Sequence, residues 1–357
     1  MIVSKLTLRN FRNYPHLQLE FDKGLNLIVG ENAQGKTNIV EAIHFLSLAR
    51  SFRTNQTSDL IAKTCQFATI EARVEQDTTK KEITAIITPS SKKILYNNKP
   101  VRKISELSSL VNVLIFEPKD SLMFVDSPNV RRNFLNVNLS KKSPIYLDAL
   151  MKHEKLIMER NLILKNDKID KTQLEVINKQ LVDVSETIVN YRMVYVNQIN
   201  QVLSKIITQI KGEKEEAFIE YTPFIKFDEN FKENALKAYE KSLESDLKRK
   251  ATQIGVHRED IKMILNGNDI SSYGSQGENR IGVIALKLSP YFLIENKSDR
   301  PIIVLDDVMS ELDTLHQEKL IKFLRKFEQV FITSVNTSVK NASIYEVNKH
   351  TVTRRNA

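Results

Sequence analysis

The sequence predicts a mixed α/β fold whose two halves are separated by a helical insertion. Three observations carry this expectation. Short apolar or alternating runs of strand type fill the first hundred residues. A stretch from 143 to 250 repeats apolar residues in steps of three and four. The last hundred residues return to apolar runs separated by amphipathic helices. With 357 residues the chain is long enough for about two domains. We expect a split α/β head over 1–142 and 251–357, and a helical, coiled-coil-like lobe over 143–250.

In chain order, Ile2, Leu6 and Leu8 mark the apolar edge of a first strand, and Leu17, Leu19 and Phe21 alternate with polar residues in a second. Leu25-Asn26-Leu27-Ile28-Val29 reads as a short buried strand ending at Gly30, and Val40, Ile43 and Leu46 place a helix over 37–49. Segments 68–75, 82–88 and 111–116 read as further strands, with turn chemistry at Pro89-Ser90-Ser91 and Asn97-Asn98. Leu147, Leu150, Leu156, Ile157 and Ile163 form one helical stripe. Leu174, Ile177, Leu181, Val184, Ile188, Tyr191 and Tyr195 form a second that runs on loosely to Ile210. Asn166-Asp167-Lys168 breaks the two, so an antiparallel helical hairpin, or a bundle with the same stripes, is expected. A helix around 280–295, a buried strand over 302–305, a helix near 314–327 and a strand over 330–333 follow. The basic Arg354-Arg355 end reads as frayed.

Apolar residues make up 41% of the chain and charged residues 27%, enough apolar content for a buried core and against a wholly disordered chain. No run approaches the ~18 apolar residues of a membrane span, and the N-terminus has no apolar signal-peptide run, so a cytoplasmic location is expected. The single cysteine, Cys65, cannot form an internal disulfide and is expected as a small core residue. A formal charge of +9 favours a polyanionic partner such as DNA or RNA, because cations that displace counterions from phosphates gain affinity. Of only 9 glycines, all but Gly212 fall into two windows, at 24–35 and 255–282, where the chemistry is to be sought.

The first window holds Gly30-Glu31-Asn32-Ala33-Gln34-Gly35-Lys36-Thr37, a complete G-x-x-x-x-G-K-[ST] loop between a buried strand and an amphipathic helix. Such a loop and the helix start after it turn backbone N–H groups toward phosphates. Lys36 would reach the β- and γ-phosphates and the Thr37 hydroxyl would ligate Mg²⁺. A second half is found in Ile302-Ile303-Val304-Leu305-Asp306-Asp307, an apolar strand ending in two aspartates. In a parallel sheet that end faces the ligand crevice. Asp306 would hold the Mg²⁺, and Asp307 would orient or deprotonate the attacking water. Ser275-Gln276-Gly277-Glu278 stands at the mouth of a helix as a second anion cradle, and Ser310-Glu311-Leu312-Asp313 follows the aspartates as a polar turn.

In that order the motifs resemble an ABC-type ATPase head of the SMC-like class, a mixed sheet with a phosphate loop, and within the class the RecF family. Leu8-Arg9-Asn10-Phe11-Arg12-Asn13-Tyr14, Gly35-Lys36-Thr37-Asn38, Arg50-Ser51-Phe52-Arg53-Thr54, Gly255 with His257-Arg258, Ser275-Gln276-Gly277 and Leu305-Asp306-Asp307 all stand as in that family. The resemblance implies an ATP-dependent homodimer that clamps DNA at single-strand gaps and gap-duplex junctions. It implies RecR and RecO-type partners, help in loading a recombinase, slow ATP hydrolysis and no membrane. ATP would be held by residues from Gly30 to Asn38 of one copy and by Ser275, Gln276 and Gly277 of the other. The chain departs from the family at Glu278-Asn279, where two glutamines are usual, and at Val256 and Asn136. Thr333-Ser334 replaces the switch histidine of transporter ATPases, and only Glu117 and Asp120 offer themselves in place of a Q-loop glutamine. Two alternatives are an ATP-hydrolysing transporter subunit and a nucleotide-gated scaffold with little turnover. The missing histidine opposes the first and Asp307 the second.

Overall fold

The computed structural model describes residues 1–102, 106–166, 168–335 and 339–355; Asp167, in the expected helix break, lies outside them. The elements run β1 (Ile2–Phe11), β2 (Tyr14–Glu20), β3 (Gly24–Val29), α1 (Lys36–Leu48), β4 (Ala68–Gln76), β5 (Thr79–Ile87), β6 (Lys92–Tyr96), β7 (Lys99–Pro100), α2 (Leu107–Leu110) and β8 (Val113–Phe116). Then come α3 (Pro128–Lys142), α4 (Pro144–Ile163), α5 (Lys171–Lys211), β9 (Ala217–Thr222), α6 (Phe231–Arg249), β10 (Asp260–Leu265), β11 (Asn268–Asp269) and α7 (Ile270–Tyr273). The chain ends with α8 (Gln276–Phe292), β12 (Ile302–Leu305), α9 (Thr314–Leu324), β13 (Gln329–Ser334), β14 (Ser343–Asn348) and β15 (Thr351–Arg355).

Packing divides the chain into two compact units. The first comprises Met1–Ser121, Lys205–Lys214 and Arg280–Ala357. It contains two six-stranded sheets. One is antiparallel, in the order β2-β1-β4-β5-β6-β7. The other runs β15-β14-β3-β13-β12-β8, parallel from β14 to β8. Its strands β3, β13 and β12 are buried at nearly every position, as expected of strands covered on both faces. Parallel strands end together, so the C-terminal ends of β3, β12, β13 and β8 lie at one edge. This edge is where the candidate site forms.

Two expectations change here. Arg354 and Arg355 are not frayed: they belong to β15, which pairs antiparallel with β14, and Arg354 is ion-paired with Asp22. Cys65 is half-buried in the loop that leads into β4 rather than in the core, because its segment is a turn, closed by its N–H on Ala62 O (3.0 Å), with little apolar content.

The second unit comprises Leu122–Ser204 and Glu215–Asn279. The helical hairpin is present. Arg160 of α4 donates to Asn178 near the start of α5 (2.8 Å), and Tyr146 at the start of α4 accepts from Arg192 farther along α5 (3.2 Å), so the helices run antiparallel. The expected lobe boundaries of 143 and 250 fall inside this unit, which is not wholly helical. It also holds a three-stranded sheet, β11-β10-β9, whose β9 interrupts the expected helical stretch. Arg131 of α3 forks onto both oxygens of Asp260 in β10 (2.7 and 2.8 Å), which ties 122–142 and 260–269 into this unit.

Two ion pairs without solvent access, Arg160–Asp246 (2.8 Å) and Arg192–Glu259 (2.6 Å), fix its interior; stripping one partner from such a pair costs about 3–5 kcal/mol. His153 and His257 lie with ring centres 5.6 Å apart. Burial pushes His153 down to about 3 and His257 down to about 4. Both are neutral in the folded chain, whereas unfolded histidines take up protons below about pH 6.5. The unfolded state therefore binds more protons from there down to the folded values. Stability is expected to fall across that window by up to about 1.4 kcal/mol per pH unit for each histidine. Thermal melts across the window check this. A pH slope unchanged in His153→Asn would remove His153 as a cause.

Candidate functional site

The loop after β3 turns through Ala33 and Gly35, both with positive φ (65° and 110°), and delivers the chain into α1. At Gly35 a Cβ would lie 2.7 Å from both Asn13 Nδ2 and Tyr14 Oη, so only glycine fits. Among the described residues no side chain caps α1, and the Asn38 N–H turns back onto Gly35 O (3.0 Å). The helix start is thus open to an external acceptor, in contrast to α9, where Asp313 accepts from the His316 N–H. Glu31, Asn32 and Ala33 are exposed at the loop tip.

Lys36 is buried at the base of the loop and donates to the carbonyls of Gly30 (2.5 Å) and Glu31 (2.8 Å). Burial lowers its affinity for the proton, and the charges of Asp307 and Asp306 pull it back. The Thr37 hydroxyl donates to Asp306 Oδ1 (3.0 Å). Thr333, at the end of β13, donates to the same oxygen (2.7 Å) and accepts from the backbone N–H of Asp307 (2.9 Å). Burial raises the Asp306 carboxyl, against the two hydroxyls that stabilise its charge. Asp307 itself is half-buried and left-handed (φ 51°). The structure thus joins the loop to the two aspartates through Thr37 and Thr333.

The sequence shows Thr333-Ser334 only as the occupant of the switch-histidine position, without the Thr333 bonds to the aspartates. The β14–β15 turn was not legible: Lys349 N–H donates to Gln34 Oε1 (2.7 Å), and His350 Nδ1 lies 3.2 Å from Gln34 O and 2.5 Å from Asn13 Nδ2. Asn38 donates to Asn13 Oδ1 (2.6 Å) and accepts from Arg53 (2.8 Å). Arg12 spans both oxygens of the fully buried Glu41 (2.9 and 2.5 Å), which also accepts from Ser51 (2.5 Å), so Arg12 braces α1. Glu117 directly follows β8. Its carboxyl is raised by burial and by Asp120, while Lys119 pairs with it at 3.0 Å. Asp120 instead accepts from the Glu117 N–H (2.8 Å) and pairs with Lys287.

Ser275, Gln276 and Gly277 belong to the second unit, at the start of α8. Ser275 accepts from the Glu278 N–H (3.2 Å), and the Glu278 carboxylate accepts from the Ser275 N–H (2.9 Å) and hydroxyl (3.0 Å), a capping box. His257 and Arg258 both reach Thr252 O (3.2 and 3.3 Å) within the same unit.

The family model described as the RecF/RecN/SMC N-terminal domain matches residues 2–356. A DNA replication and repair protein RecF from Halalkalibacterium halodurans is 34% identical over 99% of this chain and 100% of its own length. The chain belongs to the RecF family. A RecF from Clostridium perfringens is 35% identical over 92% of both chains. Among solved structures, the recombination mediator protein RecF-ATP of the RecFOR pathway superposes with TM-score 0.87 at 31% identity, covering 99% of both chains. The Smc head domain from Pyrococcus furiosus shares the fold alone, with TM-score 0.58 at 17% identity over 99% of this chain and 95% of the other. The ABC-type head expected from the motifs is therefore the fold of this family. No described helix is long and apolar enough to cross a membrane.

Proposed function

We propose that this chain is an ATP-dependent DNA-binding protein of recombinational gap repair, and that two copies pair around two ATP molecules. The observation that carries the nucleotide part is the Thr37–Asp306 hydrogen bond, which brings two motifs from opposite ends of the sequence to one point. The full-length likeness to RecF supports the repair role over a transporter subunit.

In this reading the Gly30–Asn38 loop and the uncapped start of α1 hold the phosphates. Lys36 moves from the Gly30 and Glu31 carbonyls to the β- and γ-phosphates. Among the described residues no cluster of three or more His, Cys, Asp or Glu side chains forms a metal cage. An adjacent hydroxyl and carboxylate, Thr37 and Asp306, instead fit Mg²⁺ that is shared with phosphate oxygens, where it would neutralise phosphate charge. Asp307 orients the attacking water. Ser275, Gln276 and Gly277 meet the γ-phosphate held by the second copy, so its loss on hydrolysis removes contacts on both sides and releases the pair. Slow turnover suits a clamp. The charge of +9 suits DNA binding, and the RecFOR likeness suits RecO- and RecR-type partners.

Light scattering with ATP and a gapped duplex tests this. ATP should double the mass of the wild-type chain. Ser275→Arg should still bind ATP yet remain single, because its side chain fills the space the second copy's phosphates would enter. Pairing of that variant at wild-type affinity would refute the trans contact.

A further inference from the structure

Tyr273 is 78% exposed, more than any other large hydrophobic side chain among the described residues. Its loop is not loose. Asp269 accepts from Ser271 N–H (2.9 Å) and Oγ (2.7 Å) and so starts α7. A Cβ at Gly274 would lie 2.6 Å from Ile270 O, so the chain folds back tightly right after the tyrosine. The buried Asn279 donates to the carbonyls of Ile270 (2.9 Å), Gly274 (3.3 Å) and Ser275 (3.1 Å), and the Ser275–Glu278 box closes the far side. The two family departures, Glu278 and Asn279, are thus the residues that lock this turn. A rigid loop that holds an aromatic ring in water has met its ordering cost before any partner arrives, the condition under which one side chain dominates an interface.

We propose that Tyr273 is the aromatic anchor of pairing between two copies of this chain, its ring leaving solvent when the Ser275–Gly277 turn docks. This rests on the ATP-dependent pairing proposed above. A second copy suits the ring better than DNA does. Residues 268–279 contain no lysine or arginine and two carboxylates, Asp269 and Glu278, and Lys262 on β10 already reaches Asp269 at 3.8 Å. A duplex would lay a row of phosphates along this cation-free segment, whereas a second copy brings a single nucleotide to the Ser275–Gly277 turn and a loop tip whose one charge, Glu31, is followed by uncharged Asn32, Ala33 and Gln34.

The chain has no tryptophan, so Tyr273→Trp supplies a single emitter at this position. With ATP and Mg²⁺, at concentrations where scattering shows a dimer, its emission should move to the blue and acrylamide quenching should fall several-fold. Neither change should occur with Ser275→Arg in the same chain. Tyr273→Ala should weaken ATP-dependent pairing by about tenfold or more, and phenylalanine should restore it. A dimer whose tryptophan stays as accessible as before ATP overturns the anchor and leaves the clamp standing. Shielding by gapped DNA without nucleotide assigns the ring to a DNA surface and overturns it too. No dimer under any condition removes the clamp and the anchor together.

Discussion

Lys36→Ala is expected to abolish ATP-induced pairing and to weaken ATP binding by about a hundredfold. The ammonium already sits in the loop, held by two carbonyls, so it can turn onto phosphate without an unfolding step. A charge-assisted hydrogen bond is worth about 1.5–3 kcal/mol, and every 1.4 kcal/mol is a tenfold change in affinity. The loss goes beyond one contact. Asp306 and Asp307 both act electrostatically on Lys36, and without it they face incoming phosphates with no cation between. The fold should survive, because the loop is braced independently through Gln34, Asn13 and Tyr14. Binding of a fluorescent ATP analogue and light scattering check the outcome. Pairing at wild-type strength in the alanine variant, with a normal melting curve, would take Lys36 out of the phosphate site.

How much of this was written in the sequence depends on whether a feature is local. The phosphate loop is a contiguous backbone arrangement, so its residue pattern, flanking strand and following helix were all readable. Asp306-Asp307 became informative only because the loop existed upstream, and their placement at one sheet edge follows from parallel strands ending together. Thr333 was readable only as the residue at the switch-histidine position; its bonds to Asp306 and Asp307 depend on which strand lies beside β13. The β14–β15 hairpin was missed because its strands are short and its last residues are charged. In the second unit, helical stripes showed the hairpin. The Arg131–Asp260 fork, which draws residues outside 143–250 into the same packing, is a contact across well over a hundred positions that no periodicity encodes. Glu278 and Asn279 looked like departures from a pattern, and geometry turns them into the lock of the turn.

Asp307→Asn is expected to separate ATP binding from hydrolysis, with turnover falling about 10²- to 10⁴-fold while the ATP-bound pair persists. The two aspartates are not equivalent. Asp306 is buried and its Oδ1 accepts from Thr37 and Thr333, so it is committed to the arrangement of the site. Asp307 is more open, and its backbone N–H, not its carboxylate, is the group held by Thr333. That leaves its carboxylate to orient and accept a proton from water. The left-handed backbone at this position (φ 51°) decides the choice of substitution. Asparagine enters that conformation readily, whereas alanine would add about 1–2 kcal/mol of strain and confuse lost chemistry with lost structure. Removing one negative charge beside the γ-phosphate should, if anything, tighten ATP. In the proposed pairing the long-lived dimer then follows from the same cause as the slow turnover: the γ-phosphate that would join the two copies is not removed. Phosphate release under single-turnover conditions and the lifetime of the dimer after dilution measure the two effects separately. Hydrolysis at the wild-type rate would move the water-activating role to another carboxylate, and the raised, half-buried Glu117 at the end of β8 is the next to replace.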